Sequence, residues 1–195
     1  MENLDLMVLR NLRDWRRAGR RALLVTVTRT WGSSPRPVGS IMAMAQGGAV
    51  VGSVSGGCIE DDMIAQYAQD MPSGPPRQVK YGVSADEAHR FGLPCGGTLE
   101  LLLEFDPDAA LLEQLVHTLE RGELLERSVS LVDGRVELRG VTAPQPLRLT
   151  DQQLFNTFGP EYRMLIIGAG QLSEYLATMA LFCGFAVTVC DPREE

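Results

Sequence analysis

Two cysteines flanked by glycine pairs, Ser55-Gly56-Gly57-Cys58 and Cys95-Gly96-Gly97, lie 37 positions apart in mirrored order. Each stands where a flexible turn meets a regular element. A Gly-Gly step permits positive φ and lets a ligand approach the main chain closely, which leaves the adjacent thiol and amides open to a bound group. For Cys58, two influences on the thiolate oppose each other: a helix N-terminus favours it, and Glu60, Asp61 and Asp62 disfavour it. A small buried cysteine at a helix start is the alternative reading. Cys95, beside Pro94 in a loop, is harder to explain as core filler, whereas Cys183 and Cys190 read as small apolar residues of a helix and a strand.

Two further stretches carry candidate chemistry. Residues 28–39 (TRTWGSSPRPVG) place hydroxyls, arginines and glycines on one strand-to-loop passage that its prolines stiffen. This suits an anion-binding loop in which Arg36 makes forked contacts with a phosphate or carboxylate, with Ser34 beside it; a rigid turn with a solvated arginine is the alternative. Residues 168–173 (GAGQLS) follow an apolar strand and open a helix, and an acid, Asp191, comes 23 residues after Gly168. That is the setting of a dinucleotide-binding turn: Gly168 permits the turn, Gly170 lets a phosphate approach the helix N-terminus, and Asp191 accepts a ribose hydroxyl. A β-α-β unit that holds no nucleotide fits the same residues.

Other templates fail. Gly52-Ser53-Val54-Ser55-Gly56 has valine where a nucleophile elbow needs serine. The only histidines are His89 and His117, without zinc-ligand spacing, and the single lysine, Lys80, excludes a Gly-Lys-Ser/Thr phosphate loop.

The elements that must position these residues follow from periodicity. Helices are expected over 3–19, from Cys58 to about Gln69, and from about Asp108 to Arg121. Strands are expected over 22–30, near 40–45 and 48–54, over 77–81 and 98–105, and in a hairpin over 127–139 turning at Asp133-Gly134. A helical turn is expected over 84–90. The segment 143–160, with Pro144, Pro146 and Pro160, reads as a linker. Beyond it comes a β-α-β unit: a strand over 164–167, a helix through about Phe182, and a strand over 186–190. Two parallel strands and one helix leave open edges and an uncovered face, so the sequence is expected to be a fragment of a longer protein, or to be covered by a second chain.

The chain has 195 residues, 45% of them hydrophobic, and a net charge of −7. That charge disfavours a nucleic-acid binder. No long uncharged apolar run predicts a membrane span, and four cysteines without a signal peptide point to the cytoplasm.

Taken together, GSSPRPVG at 32–39, GSVSGGCIE at 52–60, GLPCGG at 92–97 and a downstream strand followed by GAG resemble the XdhC/CoxI family. The resemblance implies an α/β chain: an α+β family domain over 1–145, a linker over 146–160 and the start of a Rossmann-like domain over 161–195. It also implies a maturation factor, not an enzyme, that binds molybdenum cofactor (molybdopterin, or its dinucleotide form), shelters it and helps insert it into xanthine dehydrogenase or a related molybdenum hydroxylase. Cys58 and Cys95 would line the cofactor site, Gly56, Gly57, Gly96 and Gly97 would shape it, and Ser34 and Arg36 would hold its anion. A cysteine desulfurase and a second copy of the chain, as a homodimer, are further expected partners. Two other readings stand beside this one: an NAD(P)-dependent oxidoreductase using Gly168, Gly170 and Asp191, and a truncated interaction module that holds no cofactor.

Overall fold

Helix α1 (Leu4–Arg17) forms because Val8, Leu9 and Leu12 recur on one face and bury completely, while its arginines take the other side. The computed structural model describes residues 4–32, 36–82, 97–160 and 162–193; the helical turn expected over 84–90 lies outside them. Five antiparallel strands follow α1: β1 (Ala22–Trp31), β2 (Ile41–Ala45), β3 (Val50–Gly52), β4 (Arg77–Tyr81) and β5 (Thr98–Phe105), in the order β3-β2-β1-β5-β4. The first seven residues of β1 are all buried, since its two faces pack against different layers. Leu23, Val25 and Val27 meet Ile59 and Met63 of α2 (Cys58–Tyr67). Ala22 and Leu24 meet α1 and the apolar face of α3 (Ala109–Glu120), which Asp108 caps through the amides of Ala110 and Leu111, both 2.9 Å away.

A second antiparallel sheet is built from β6 (Leu125–Ser130), β7 (Val136–Gly140), β8 (Arg148–Leu149) and β9 (Gln153–Phe158), in the order β7-β6-β9-β8. The hairpin expected over 127–139 is β6–β7. Val129 and Leu154 pack on Leu102 of β5. The buried Arg127 guanidinium spans to Glu104 of β5 with two bonds, 2.9 and 2.7 Å long. The segment expected as a linker is therefore not a plain connection: β9 pairs with β6 along its whole length and buries Leu154, Asn156 and Phe158. Its period-two pattern was hidden by a polar residue, Asn156, on the buried side and by the prolines around it.

The last unit is the expected β-α-β: β10 (Tyr162–Ile167), α4 (Gln171–Phe182) and β11 (Phe185–Cys190), with the two strands parallel and in continuous register. Among the described residues it shares no strand with the other sheets. No helix among the described residues is long and apolar enough to cross a membrane.

Candidate functional site

One end of the five-stranded sheet gathers the motif segments. Trp31 at the end of β1 pairs with Thr98 at the start of β5, and Tyr81 at the end of β4 pairs with Leu99. β3 leaves the sheet toward the same end after Gly52, which pairs with Met42. Helix α2 starts here and runs to the opposite end, where Tyr67 meets Phe105 edge-on with ring centroids 5.8 Å apart. The Tyr81 hydroxyl donates to Asp62 of α2 at 2.9 Å and fixes the helix start to this rim. Cys58 thus shares one end of the sheet with the strand termini that carry the 32–39 and 82–97 segments. Gly32 lies against Gly97 so closely that a Cβ on Gly32 would stand 3.2 Å from the Gly97 Cα.

The turn before Cys58 is organised by Glu60. Gly56 and Gly57 adopt φ of 107° and 146°, which curls residues 53–57 around the Glu60 carboxylate. That carboxylate accepts from the amides of Val54 (2.8 Å), Ser55 (2.9 Å), Gly56 (3.3 Å) and Gly57 (2.9 Å), from the Ser53 hydroxyl (2.7 Å) and from the Ser55 hydroxyl. Burial alone would push its pKa up. The bonds from Ser55 and Ser53 outweigh that and hold the carboxyl well below the usual carboxylate range.

One expectation changes here: the loop amides expected to be open to a bound group are already taken by a carboxylate of the chain itself, Glu60. The available signal was the spacing Gly57-Cys58-Ile59-Glu60, an N-cap followed by Glu at the third helical position, which is the acidic half of a capping box. Cys58, the first residue of α2, is exposed rather than a buried helix-start residue.

The remaining candidates separate. Arg36 begins the return of the 32–39 segment to the sheet, where the Gly39 amide donates to Val27 O and the Val27 amide to Ser40 O, both at 2.9 Å. Gly97 is buried at the start of β5. Ser34, Cys95 and Gly96 lie outside the described residues.

Gly168 and Gly170 bracket the turn between β10 and α4, and the space around both is open. Asp191 accepts from the Ala169 amide at 2.7 Å and from Arg193 through its backbone amide (2.9 Å), Nε (3.0 Å) and Nη2 (2.6 Å). Arg193, together with that amide, holds the Asp191 carboxyl below its ordinary range. A ribose hydroxyl would have to displace one of these donors. Cys183, which caps the end of α4, and Cys190, the last residue of β11, are both exposed. Among the described residues no group of three His, Cys, Asp or Glu side chains is placed to hold a metal ion.

Residues 15–82 match the model of the XdhC and CoxI family. The chain is 35% identical over 102 residues to the molybdenum cofactor insertion chaperone PaoD of Escherichia coli (strain K12), a match that covers 50% of this chain and 32% of that protein. Over 99% of its length it also superposes on 63% of a solved chain described as a xanthine dehydrogenase from Bacillus halodurans, with a TM-score of 0.71 and 25% identity. The match thus spans about a third of the curated relative and less than two thirds of the solved one. The family segment runs from the end of α1 through β4 and contains both the 32–39 passage and the Glu60-held turn; over these residues the chain is similar to the XdhC and CoxI family.

Proposed function

We propose that this chain is an accessory protein that binds molybdenum cofactor, protects it and passes it to a molybdenum hydroxylase such as xanthine dehydrogenase, without turning over a substrate of its own. The observation that carries the reading is the 35% identity over 102 residues to a protein named for molybdenum cofactor insertion. The geometry supports it by supplying a surface of the right chemistry. An exposed thiol stands on a turn that a buried carboxylate holds in shape, and soft sulfur ligands suit a metal-dithiolene centre. Because Glu60 takes the loop amides, the contact this turn offers a cargo is the Cys58 sulfur and the side-chain-free surfaces of Gly56 and Gly57. Arg36, Ser34, Cys95, Gly96 and Gly97 are proposed to complete the site from the two neighbouring segments, the arginine facing the cofactor's phosphate.

The NAD(P)-dependent oxidoreductase reading draws less support, since the acid it needs for a ribose is engaged by Ala169 and Arg193. Co-expression with cofactor synthesis intact, followed by anaerobic purification, tests the proposal. The unaltered chain is expected to retain molybdopterin and molybdenum, and Cys58→Ala and Cys95→Ala are expected to retain less. An empty unaltered chain overturns the carrier reading; equal loading of all three removes the thiols from it.

A further inference from the structure

We propose that a cleft on the sheet face opposite α2 takes the flat pterin ring of the cofactor and the start of its anionic side arm, with Trp31 stacking on the ring and Arg29 and Lys80 as the cations facing the arm. The inference rests on the cofactor reading above. It starts from a β-bulge. Val27 pairs with Leu101 but Arg29 with Glu100, so Thr28 is an extra residue in β1. Without it, positions 29 and 31 would continue the Leu23, Val25, Val27 face beneath α2. With it, Thr30 falls opposite Leu99 on that face, and Arg29 and Trp31 turn to the other side. The Thr28 hydroxyl fixes the bulge by donating to Glu100 O at 3.0 Å.

On that side, Arg29, Glu100 and Lys80 form a cross-strand row over β1, β5 and β4, with Trp31 and Thr98 beside it at the rim. One carboxylate serves both cations, at 3.5 Å from Arg29 and 3.4 Å from Lys80. The row therefore keeps one positive charge in excess, in a chain whose net charge is −7. Trp31 is 77% exposed. Together with Thr30 these residues line a cleft of about 420 Å³, within the size range of small-molecule sites. An exposed indole beside unsaturated cations stacks a flat heteroaromatic ring and pairs its negative group. The acidic chain as a whole repels a long polyanion.

Pterin-6-carboxylate is fluorescent, so its anisotropy on titration with the full chain reads binding directly. Saturable binding is expected, weakened roughly fivefold or more in Trp31→Ala, the scale of a lost base–aromatic stack, and weakened and made insensitive to salt in the Arg29→Gln/Lys80→Gln double variant. Trp31→Phe, which keeps an aromatic face, and Trp15→Phe, at the other indole, should bind within about twofold of the unaltered chain. No binding by the unaltered chain, or equal affinity in Trp31→Ala, overturns the cleft. Displacement by cytidine monophosphate at lower concentration than by free pterin-6-carboxylate also overturns the pterin assignment, by giving the cleft to a nucleotide. The two proposals fail separately. A chain that purifies without molybdopterin but binds pterin-6-carboxylate through Trp31 sinks the carrier function alone, and a loaded chain indifferent to Trp31 sinks the cleft alone.

Discussion

Two carboxyls, the buried Glu60 and the half-buried Asp5, make the residue scale testable because they respond to pH in opposite directions. Glu60 is held below its ordinary value by the hydrogen bonds of its turn. Its stabilisation is therefore complete above the unfolded value of about 4.3 and is lost as pH falls toward the depressed folded value. Glu60→Gln sets an amide NH₂ against amide donors and should cost about 2–3 kcal/mol at pH 7, the scale of bonds to a charged group. In urea denaturation, the gap between Glu60→Gln and the unaltered chain should close below about pH 4; a gap constant with pH would refute the assignment. Asp5 behaves oppositely. Burial pushes it up to about 6, so its contribution is present below the unfolded value and is lost as pH rises through 6. Asp5→Asn should therefore stabilise the chain relative to the unaltered one at pH 7–8 and leave it unchanged or weaker near pH 4. Cys58, exposed on its turn, should tolerate alanine within about 0.5 kcal/mol. Cofactor loss in that variant would then report a lost contact and not unfolding. The cysteine and its glycines were legible from residue type and spacing. Glu60's partners were not, because they exist only once two positive-φ glycines fold the turn back on the helix.

At the scale of elements, the joint between the two antiparallel sheets combines the Leu102, Val129 and Leu154 contact with one buried ion pair. Arg127 of β6 and Glu104 of β5 are each only 4% exposed and bond through Nη1 and Nη2, the two terminal nitrogens of the guanidinium. Arg127→Met would leave Glu104 buried without its partner and should cost about 3–5 kcal/mol. Arg127→Met/Glu104→Leu, with both charges removed, should recover most of that loss. Additive losses in the double variant, read by chemical denaturation, would show that the pair is not the joint. Nothing in the sequence marks this pairing, since each strand carries other polar residues, Glu126, Ser128 and Ser130 in β6 and Thr98 and Glu100 in β5, and periodicity does not say which of them turns inward. The same limit hid β9: Asn156 occupies an inward position because its neighbours there can bury it, a tertiary fact. The helices and the strands of the larger sheet were legible, because their apolar residues repeat at 3.6 or 2 and tertiary packing follows that repeat. The bulge at Thr28 was not, although it decides which face Trp31 presents.

At the scale of the molecule, the β-α-β unit behaves as its sequence implies: two parallel strands and one helix cannot cover each other. Leu165, Ile167, Leu172, Tyr175, Met179 and Phe182 are between 63% and 80% exposed, and among the described residues β10 and β11 pair only with each other. The principal apolar clusters are drawn instead from α1 to β9. On this distribution we propose a division of the chain near residue 160, where the sequence reading also begins the last unit, with the folded stability and the Cys58 rim belonging to the first part. The first part then extends past the boundary expected at 145, since β9 completes the second sheet. A chain ended at Gly159 should therefore keep a single cooperative thermal transition within a few degrees of the full chain. It should also lose most of the full chain's binding of 8-anilinonaphthalene-1-sulfonate, a dye that reports exposed apolar surface. Pterin-6-carboxylate affinity should not change. If the shortened chain instead melts broadly or keeps its dye binding, the β-α-β unit is a structural support of the preceding sheets and not an appendage to them.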